Sequence, residues 1–549
     1  MQGLMMDYPL TIQHILTRAT RYFPQREIVT RVENGIHRYT YADLGDRVAR
    51  LASALKARGI QPGDRVATFG WNTYRHLELY LAVPSMGAVL HTLNVRLFTE
   101  QIEYIINHAE DQIIFVDADL LPVLEKQIGK IPTVNRFVIM GTPAAPSRLE
   151  PAEDYEAMLA SAETRYEWPQ LDENEAAAMC YTSGTTGNPK GVVYSHRSMV
   201  LHSFGLLMAD NVGVSERDVV MPVVPMFHAN AWGFPFSAAL AGAKQVMPGR
   251  FLGAADLAEL IEKERVTVAA GVPSIWIGLA SYLERLSLEP RMPDVSSLRA
   301  VPCGGSAIPP ALMHSMDKLG VHMIHAWGMT ETSPLASVSH LHPEDEHLSD
   351  EEKLAIRTKQ GLPVPGIEAR VVDLGTDQEV PWDGKAVGEI QVRGPWVARA
   401  YYRSPESDDK FAGGWLHTGD VATVDSQGYM QIVDRTKDLV KSGGEWISSV
   451  ELENQIMAHP KVLEAAVIGV PHPVMQERPV AYVVPRPEFK GQITGEEVIE
   501  FLRSRVVKWW LPDDVIFIEA VPKTSVGKFS KRELRDVYAK SHASAPTQA

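Results

Sequence analysis

A loop rich in glycine and hydroxyl side chains is the segment that most clearly predicts chemistry. It reads Tyr-Thr-Ser-Gly-Thr-Thr-Gly-Asn-Pro-Lys-Gly from residue 181 to residue 191. Glycines such as Gly184 and Gly187 let the backbone bend tightly and bring N–H groups close to phosphate oxygens. Further donors and a positive charge come from Thr182, Ser183, Thr185, Thr186 and Lys190. A polar surface turn needs fewer such groups, so the loop, which lacks the Walker A spacing, predicts a phosphate site.

Composition and charge limit what this site can belong to. The chain has 549 residues, of which 45% are hydrophobic and 22% charged, as in ordinary globular proteins. One hydrophobic core rarely serves this length, so we expect at least two domains. The formal net charge of −15 argues against a nucleic-acid partner. Anionic ligands must therefore be held by local positive groups.

The sequence favours a cytoplasmic protein without a transmembrane segment. No apolar run approaches the roughly 20 residues of a membrane helix, and the first residues lack the pattern of a secretory signal. The two cysteines, Cys180 and Cys303, indicate buried thiols in a reducing compartment rather than a disulfide scaffold.

Strand and helix patterns alternate along the N-terminal half. Tyr41 to Arg58 has helical spacing, Arg65 to Phe69 reads as a buried strand, and a helix near Tyr74 to Met86 follows. Repeated units of this kind predict a mostly parallel sheet with helices on both faces. From Gly361 to Tyr429, short alternating segments between glycines and prolines predict a small antiparallel sheet or barrel. A second compact pattern of helices and strands begins after Asp434.

Six further segments carry clusters of polar and glycine residues. They are Val224 to Trp232, Gly304 to Ala307, His325 to Glu331, Thr418 to Asp420, Asp434 to Trp446, and Pro522 to Lys528. In this order, together with the loop, they resemble the motifs of the acyl-adenylate-forming (AMP-binding) superfamily, over essentially the whole chain. The resemblance is closest to medium- and long-chain fatty-acyl-CoA synthetases and to 3-methylmercaptopropionate-CoA ligases.

The resemblance implies a fold and a domain order. We expect an α/β protein with a large N-terminal domain (1–433) of two doubly wound sheets plus a small β-barrel. A hinge linker (434–439) and a small mobile α+β C-terminal domain (440–549) should follow. One departure is Trp327, where tyrosine is frequent in the superfamily. An indole can also stack on adenine, but the contact of a tyrosine hydroxyl is lost.

The resemblance also assigns roles to individual residues. It implies Mg²⁺ on Thr182 and Glu331, hard oxygen ligands that suit this ion, and it implies Lys528, His228, Thr330 and Glu331 as catalytic residues. The ATP/AMP site comprises Thr182, Ser183, Gly184, Thr185, Thr186, Gly187, Lys190, Gly305, Ser306, Ala307, His325, Ala326, Trp327, Gly328, Met329, Thr330, Asp420, Arg435 and Lys528. Trp232 is implied as the acyl gate, Lys437 as the hinge, and Gly443, Gly444, Glu445 and Trp446 as the CoA-binding segment.

The implied reaction explains why these groups are needed. A carboxylate attacks the α-phosphorus of ATP, pyrophosphate leaves, and a thiol of CoA then displaces AMP. The first step brings an anion against a polyanion, so catalysis is mainly positioning and charge neutralisation. Lys528 would bridge the carboxylate and the α-phosphate. Rotation about Lys437 would then let the thiol approach the same carbonyl.

Structural alternatives remain open for several of these residues. His228 and Trp232 can also be core packing residues, and Gly443-Gly444 can be an ordinary turn. Most lysines are solvated surface groups. A neutral His228 imidazole would orient the carboxylate without adding negative charge.

The apolar residues around the predicted acyl site favour a medium- or long-chain fatty acid. The alternatives are 3-methylmercaptopropionate and an aryl or arylalkanoic acid. A different class is a stand-alone adenylation module that loads a carrier protein, and a third is a luciferase-like oxygenase. The partners expected are a carboxylic acid, ATP and CoA, with no nucleic acid, and the resemblance implies a homodimer.

Overall fold

The computed structural model describes residues 1–182, 188–287, 289, 291–405, 407–443, 445–523 and 529–542. Its strands, in chain order, are β1 (Glu27–Val32), β2 (Gly35–Thr40), β3 (Arg65–Phe69), β4 (Val89–Thr92), β5 (Asp111–Asp117), β6 (Arg136–Met140), β7 (Ala152–Asp154), β8 (Ala176–Tyr181), β9 (Gly191–Ser195), β10 (Val219–Pro222), β11 (Lys244–Met247), β12 (Val268–Ala270), β13 (Val301–Cys303), β14 (Met323–Gly328), β15 (Leu335–Val338), β16 (Leu362–Pro363), β17 (Glu368–Val372), β18 (Gly388–Arg393), β19 (Leu416–Val424), β20 (Met430–Arg435), β21 (Val440–Ser442), β22 (Glu445–Ile447), β23 (Val462–His472), β24 (Gln476–Pro485) and β25 (Asp514–Phe517).

The helices cover the faces of these strands. In chain order they are α1 (Ile12–Tyr22), α2 (Tyr41–Ala57), α3 (Tyr74–Ser85), α4 (Thr99–Ala109), α5 (Leu121–Leu124), α6 (Tyr155–Ala160), α7 (His196–Leu207), α8 (Ala229–Trp232), α9 (Phe234–Ala241), α10 (Ala254–Glu264), α11 (Pro273–Leu286), α12 (Pro310–Lys318), α13 (Asp350–Arg357), α14 (Ser407–Lys410), α15 (Ser449–Met457), α16 (Gly495–Arg503) and α17 (Lys531–His542). Within these described ranges, no helix combines the length and the apolar character needed to cross a membrane.

Two mostly parallel sheets dominate the N-terminal part. The seven-stranded sheet has the order β7-β6-β5-β3-β4-β8-β9, and the five-stranded sheet has the order β12-β10-β11-β1-β2. Each has one antiparallel edge pair, β8 with β9 and β1 with β2. The largest apolar cluster joins residues of α1, α2, α3, α7 and α9 with strands of both sheets. This arrangement confirms the α/β fold predicted from the repeated strand–helix units.

Local sequence signals explain where some of these elements begin. The side chain of Thr40 accepts a hydrogen bond from the Asp43 backbone at 3.3 Å, and the Asp43 carboxylate accepts one from the Thr40 backbone at 2.8 Å. This reciprocal capping box fixes the start of α2. The predicted helix from Tyr41 is thereby confirmed.

The segment predicted as a small antiparallel sheet or barrel forms strands in sequential order. β17, β18, β19 and β20 pair antiparallel with their neighbours. A bridge between Gly361 and Met430 connects β20 to the end of the preceding sheet β13-β14-β15-β16. β20 then leads directly into the predicted hinge.

The C-terminal part has a sheet of β21 to β25 covered on both faces. Along β23, Ala465 and Val467 pack in one apolar cluster, with residues of α15 and α16. Ala466 and Ile468 pack in the other, with Leu534 of α17. Alternate side chains of a strand point to opposite faces, so a continuous apolar strand supplies both cores.

Candidate active site

The predicted site segments meet where several strands end. The phosphate loop follows β8, and the segment containing His228 follows β10. The glycines after Cys303 follow β13, and Trp327 lies near the end of β14. Ligands of open α/β sheets bind beyond the carboxyl ends of their strands. The sequence order of the motifs and the topology of the sheets therefore lead to the same place.

Two adjoining cavities occupy this region, with volumes of about 420 Å³ and about 600 Å³. We call them together the cleft. Their walls share Gly305, Ala326, Trp327, Gly328, Arg435 and Lys437. The predicted site residues that line the cleft are Thr182, Lys190, His228, Trp232, Gly305, Ser306, Ala307, His325, Ala326, Trp327, Gly328, Met329, Thr330, Glu331, Asp420, Arg435 and Lys437.

The two ends of the phosphate loop are joined to each other. The backbone N–H of Thr182 donates to the carbonyl of Lys190 at 2.9 Å, and the Lys190 N–H donates to the Thr182 hydroxyl at 3.2 Å. The Lys190 ammonium lies 5.2 Å from the centre of the Tyr401 ring. The predicted contacts of Ser183, Gly184, Thr185, Thr186 and Gly187 lie outside the described residues.

Close backbone approach explains two glycines of the cleft wall. A Cβ at Gly304 would lie 2.2 Å from the Ala326 carbonyl oxygen, and one at Gly328 would lie 1.7 Å from that of Pro334. No other residue fits at such distances.

Burial of the His325 side chain, on β14, lowers its pKa to about 4. The neutral ring donates from Nδ1 to the carbonyl of Thr358 at 2.9 Å.

Asp420 accepts hydrogen bonds from two side chains of the predicted nucleotide site, Trp327 and Arg435. The indole N–H of Trp327 donates to Asp420 Oδ2 at 2.9 Å, and Arg435 Nε donates to Oδ1 at 3.0 Å. The Asp420 carboxylate raises the pKa of Arg435, against the opposing effect of burial. The Trp327 side chain therefore makes a polar contact of its own in the wall of the cleft. The unused lone pairs of the carboxylate remain available to ribose hydroxyls.

We expect Trp327→Phe to raise the KM for ATP by about 10-fold, because a hydrogen bond to a charged group contributes about 1.5 kcal/mol. The variant keeps an aromatic ring where stacking on adenine is expected, so kcat should change little. Steady-state kinetics with ATP as the varied substrate measure this effect. An unchanged KM would show that the indole N–H does not orient Asp420 for nucleotide binding.

Glu331 presents a buried carboxylate to the same cleft. Only 5% of the residue is exposed, and the Tyr401 hydroxyl donates to its Oε1 at 2.5 Å. The backbone carbonyls on either side are also used, because Tyr194 donates to Thr330 at 2.8 Å and the Ala398 N–H donates to Glu331 at 2.7 Å. The Tyr401 hydroxyl thus orients the carboxylate, and the two other bonds hold the backbone that carries it.

An apolar wall continues the cleft beyond His228. It consists of Leu206, Val212, Phe234, Val272, Pro302 and Leu335. Trp232 lines the same cavity, and its Cη2 lies only 3.8 Å from where a Cβ of Gly304 would be. His228 is half-buried at the boundary. The cleft is therefore lined both by polar residues, such as Thr182 and Glu331, and by apolar ones.

The backbone that carries Trp232 has an unusual conformation. The four residues Ala229 to Trp232 all have positive φ angles, of 42°, 51°, 50° and 56°. A left-handed conformation costs about 1–2 kcal/mol for each residue with a side chain. α8 is therefore a single left-handed turn under strain, and strain of this kind is concentrated at ligand clamps and switch regions.

The predicted hinge is anchored on both sides of Lys437. On one side Arg435 pairs with Asp420, and on the other Asp438 pairs with Arg535 of α17 at 2.5 Å. Lys437 itself lines the cleft. The two anchors lie on opposite sides of the predicted pivot.

A buried ionic cluster connects the hinge to the C-terminal part. Asp434 Oδ2 accepts hydrogen bonds from the Ser449 N–H at 2.7 Å and from its hydroxyl at 2.5 Å. Lys531 pairs with Glu453 at 2.8 Å. Burial lowers the pKa of Lys531, but the carboxylates of Glu453 and Asp434 outweigh burial and raise it. These contacts tie Asp434, at the start of the predicted hinge, to the C-terminal part.

The predicted catalytic residue Lys528 lies outside the described residues, and the predicted CoA-binding segment is described only in part. On either side of Lys528, Lys523 and Phe529 form a β-bridge, and Phe529 and Ser530 line the cleft. Gly443 has a φ of 61° and does not line the cleft. Gly444 lies outside the described residues, and of Glu445 and Trp446 only the backbone, in β22, is described.

Two family models match most of the chain. The model "AMP-binding enzyme" matches residues 16–402, and "AMP-binding enzyme C-terminal domain" matches residues 451–528. The chain therefore belongs to the family of AMP-binding enzymes. This confirms the predicted superfamily, and with the relatives below it confirms the predicted class of AMP-forming acid–thiol ligase.

Curated relatives match over nearly the full length. A long-chain-fatty-acid–CoA ligase of Thermus thermophilus is 48% identical, over 97% of this chain and 96% of the relative. A 3-methylmercaptopropionyl-CoA ligase of Ruegeria pomeroyi is 46% identical, over 98% and 99%. A medium-chain-fatty-acid–CoA ligase of Ectopseudomonas oleovorans is 44% identical, over 98% of each chain.

A solved structure has the same fold. The crystal structure of an anthranilate CoA ligase in complex with anthranoyl-AMP superposes with a TM-score of 0.85, at 25% identity, over 98% of this chain and 99% of that one.

Proposed function

We propose that the chain activates a medium- or long-chain fatty acid as an acyl-adenylate and transfers the acyl group to CoA. The observation that carries this proposal is the cavity whose lining includes Thr330 and Glu331, His228 and Trp232, and the apolar residues named above. An apolar wall without a charged side chain suits an alkyl chain and disfavours a second carboxylate, since burying an unpaired charge is costly. The long-chain and medium-chain relatives support the same substrate class.

The residues present fit a magnesium ion, which we propose to be held by Thr182 and Glu331. Both line the same cavity, and a hydroxyl and a carboxylate are hard oxygen donors that leave room for water and phosphate oxygens. The described residues contain no cluster of three or more His, Cys, Asp or Glu side chains that could hold a metal alone. When bound, the ion neutralises phosphate charge. Glu331, positioned by Tyr401, supplies the negative group that retains it.

We propose the chain division into 1–433, the hinge 434–439 and 440–549, with Lys437 as pivot. The ion pairs of Arg435 with Asp420 and of Asp438 with Arg535 support it, because the first partner lies in the N-terminal part and the second in the C-terminal part. With Phe529 and Ser530 in the cleft wall, this orientation suits adenylation by Lys528. Rotation would bring the segment of Gly443, Gly444, Glu445 and Trp446 towards the acyl group. A homodimer and a cytoplasmic location stay predictions.

An AMP-release assay tests the substrate class. Octanoate, palmitate, 3-methylmercaptopropionate and benzoate are each supplied with ATP, Mg²⁺ and CoA. We expect the highest kcat/KM for a saturated fatty acid. A higher value for the thioether acid or for benzoate would overturn the fatty-acid proposal. The 46% identical relative from Ruegeria pomeroyi makes the thioether acid the alternative to test first.

The same assay separates the alternative class. Free CoA and a phosphopantetheinylated carrier protein are compared as acceptors with the best acid. A module that loads a carrier protein would form thioester only on the protein. A luciferase-like oxygenase would instead consume oxygen with a supplied acyl-adenylate.

We expect Trp232→Ala to change the ratio of kcat/KM between palmitate and octanoate by about 10-fold, because it removes the ring between the apolar wall and Gly304. Trp232→Phe keeps an aromatic ring and should change the ratio less. The measurement is a chain-length series under steady-state conditions. Unchanged ratios in the alanine variant would exclude a gating or selecting role for Trp232.

A further inference from the structure

Lys410, a lysine that the sequence analysis did not single out, lies in the wall of the cleft. It is the last residue of α14, is half-buried, and lines the cavity that contains Thr330 and Glu331. Its Nζ donates to the backbone carbonyl of Thr418 at 3.1 Å. A Cβ on Gly419 would lie 3.9 Å from the same nitrogen, so the ammonium lies beside the segment that leads into Asp420.

The ammonium of Lys410 has no carboxylate partner in the part of the chain that the structure describes. No carboxylate oxygen lies within 4.0 Å of it, and its hydrogen bond goes to a neutral carbonyl. Arg435, by contrast, is paired with Asp420 in the same cleft. Burial lowers the pKa of Lys410, although the more distant carboxylates of Glu331, Glu389 and Asp420 oppose this effect.

A partly desolvated cation without a counter-ion is energetically unfavourable. An anionic ligand that enters the cavity removes this penalty and gains a charge-assisted hydrogen bond. The position of the Lys410 ammonium indicates which part of the nucleotide it would contact. Asp420 is proposed to accept the ribose hydroxyls. The α-phosphate is joined to the same ribose by a few bonds, so it is the ligand group that would lie beside Thr418, Gly419 and the Lys410 ammonium.

We propose that Lys410 binds the α-phosphate of the nucleotide in both half-reactions. The inference rests on the proposed function. When the CoA thiolate attacks the acyl carbonyl carbon, the C–O bond to the phosphate breaks and its electron pair stays on the phosphate oxygen of AMP. The phosphate gains one negative charge in that step. Lys410 stabilises this charge because it belongs to the N-terminal part and remains in place when the C-terminal part rotates.

The direct test compares the affinities of AMP and adenosine by calorimetry. Lys410→Met should raise the Kd for AMP about 10- to 100-fold and leave the Kd for adenosine unchanged, while Lys410→Arg should restore most of the AMP affinity. Lys385→Met, which removes an exposed lysine, is the control. Equal losses for both ligands, or no loss for AMP, would overturn the proposal. If the methionine variant does not fold, Lys410→Gln is compared in the same way.

The kinetic test uses the two half-reactions separately. In Lys410→Met, both pyrophosphate exchange and thioester formation from a supplied acyl-adenylate should fall, by about 10- to 100-fold each. Normal thioester formation would contradict a role in the second half-reaction. The nucleotide titration does not depend on any acid or thiol. Loss of the AMP preference in a protein that forms no acyl-CoA would therefore support Lys410 while refuting the proposed function.

Discussion

Lys528→Ala is expected to lose acid-dependent pyrophosphate exchange by at least about 1000-fold, yet to form thioester from a supplied acyl-adenylate at a nearly normal rate. Adenylation brings two anions together, and a mobile ammonium is the group proposed to bridge them. Thioester formation is proposed to take place after the C-terminal part has turned away. Lys523 and Phe529, which flank the segment containing Lys528, form a β-bridge, and Phe529 lines the cleft at the proposed nucleotide site.

Lys523→Ala is the matched control for this variant. Lys523 lies at the other end of the same loop, and its ammonium pairs with Glu464 at 2.6 Å within the C-terminal part. Its loss should leave the exchange rate within a few-fold of the parent. Near-normal exchange in Lys528→Ala would remove that lysine from the chemistry.

The second large effect is expected for Glu331→Gln. The amide keeps the shape of the side chain but removes the negative charge proposed to hold Mg²⁺, so kcat/KM for ATP should fall by about 100- to 1000-fold. The Mg²⁺ concentration needed for half-maximal rate should rise at the same time. Initial rates over a matrix of Mg²⁺ and ATP concentrations measure both quantities.

Tyr401→Phe separates the charge of Glu331 from its orientation. It removes the hydroxyl that donates to the carboxylate at 2.5 Å and leaves the carboxylate in place. We expect a loss of about 10-fold, as for one charge-assisted hydrogen bond. Equal losses in both variants, with no change in the Mg²⁺ requirement, would show that Glu331 acts only as a structural partner of Tyr401.

Much of the cleft was predictable because its residues lie in contiguous motifs. The loop ending at Lys190, the segment around Trp327 and the motif at Asp420 are each recognisable in sequence, and the fold brings them to the wall of one cleft. The antiparallel pair β1 and β2 was also within reach, because Asn34-Gly35 between two alternating segments is a strong hairpin signal.

Contacts between distant segments were not predictable in the same way. The bond from Trp327 to Asp420 joins residues that are 93 positions apart, and it depends on how β14 and β19 pack. Lys410 ends a short segment of exposed polar residues, which in sequence resembles a solvated surface helix. The left-handed turn at Ala229 to Trp232 has no glycine until Gly233, although positive φ angles normally favour glycine. Tertiary packing decides all three.

The central claim is that a carboxylate oxygen attacks the α-phosphorus of ATP. A fatty acid labelled with oxygen-18 in its carboxylate tests it directly, with ATP, Mg²⁺ and CoA present and the products analysed by mass spectrometry. We predict that AMP gains one labelled oxygen per turnover, because the bridging oxygen stays on phosphorus when the thiol displaces it. Label in inorganic phosphate or pyrophosphate, or unlabelled AMP, would contradict attack on the α-phosphorus.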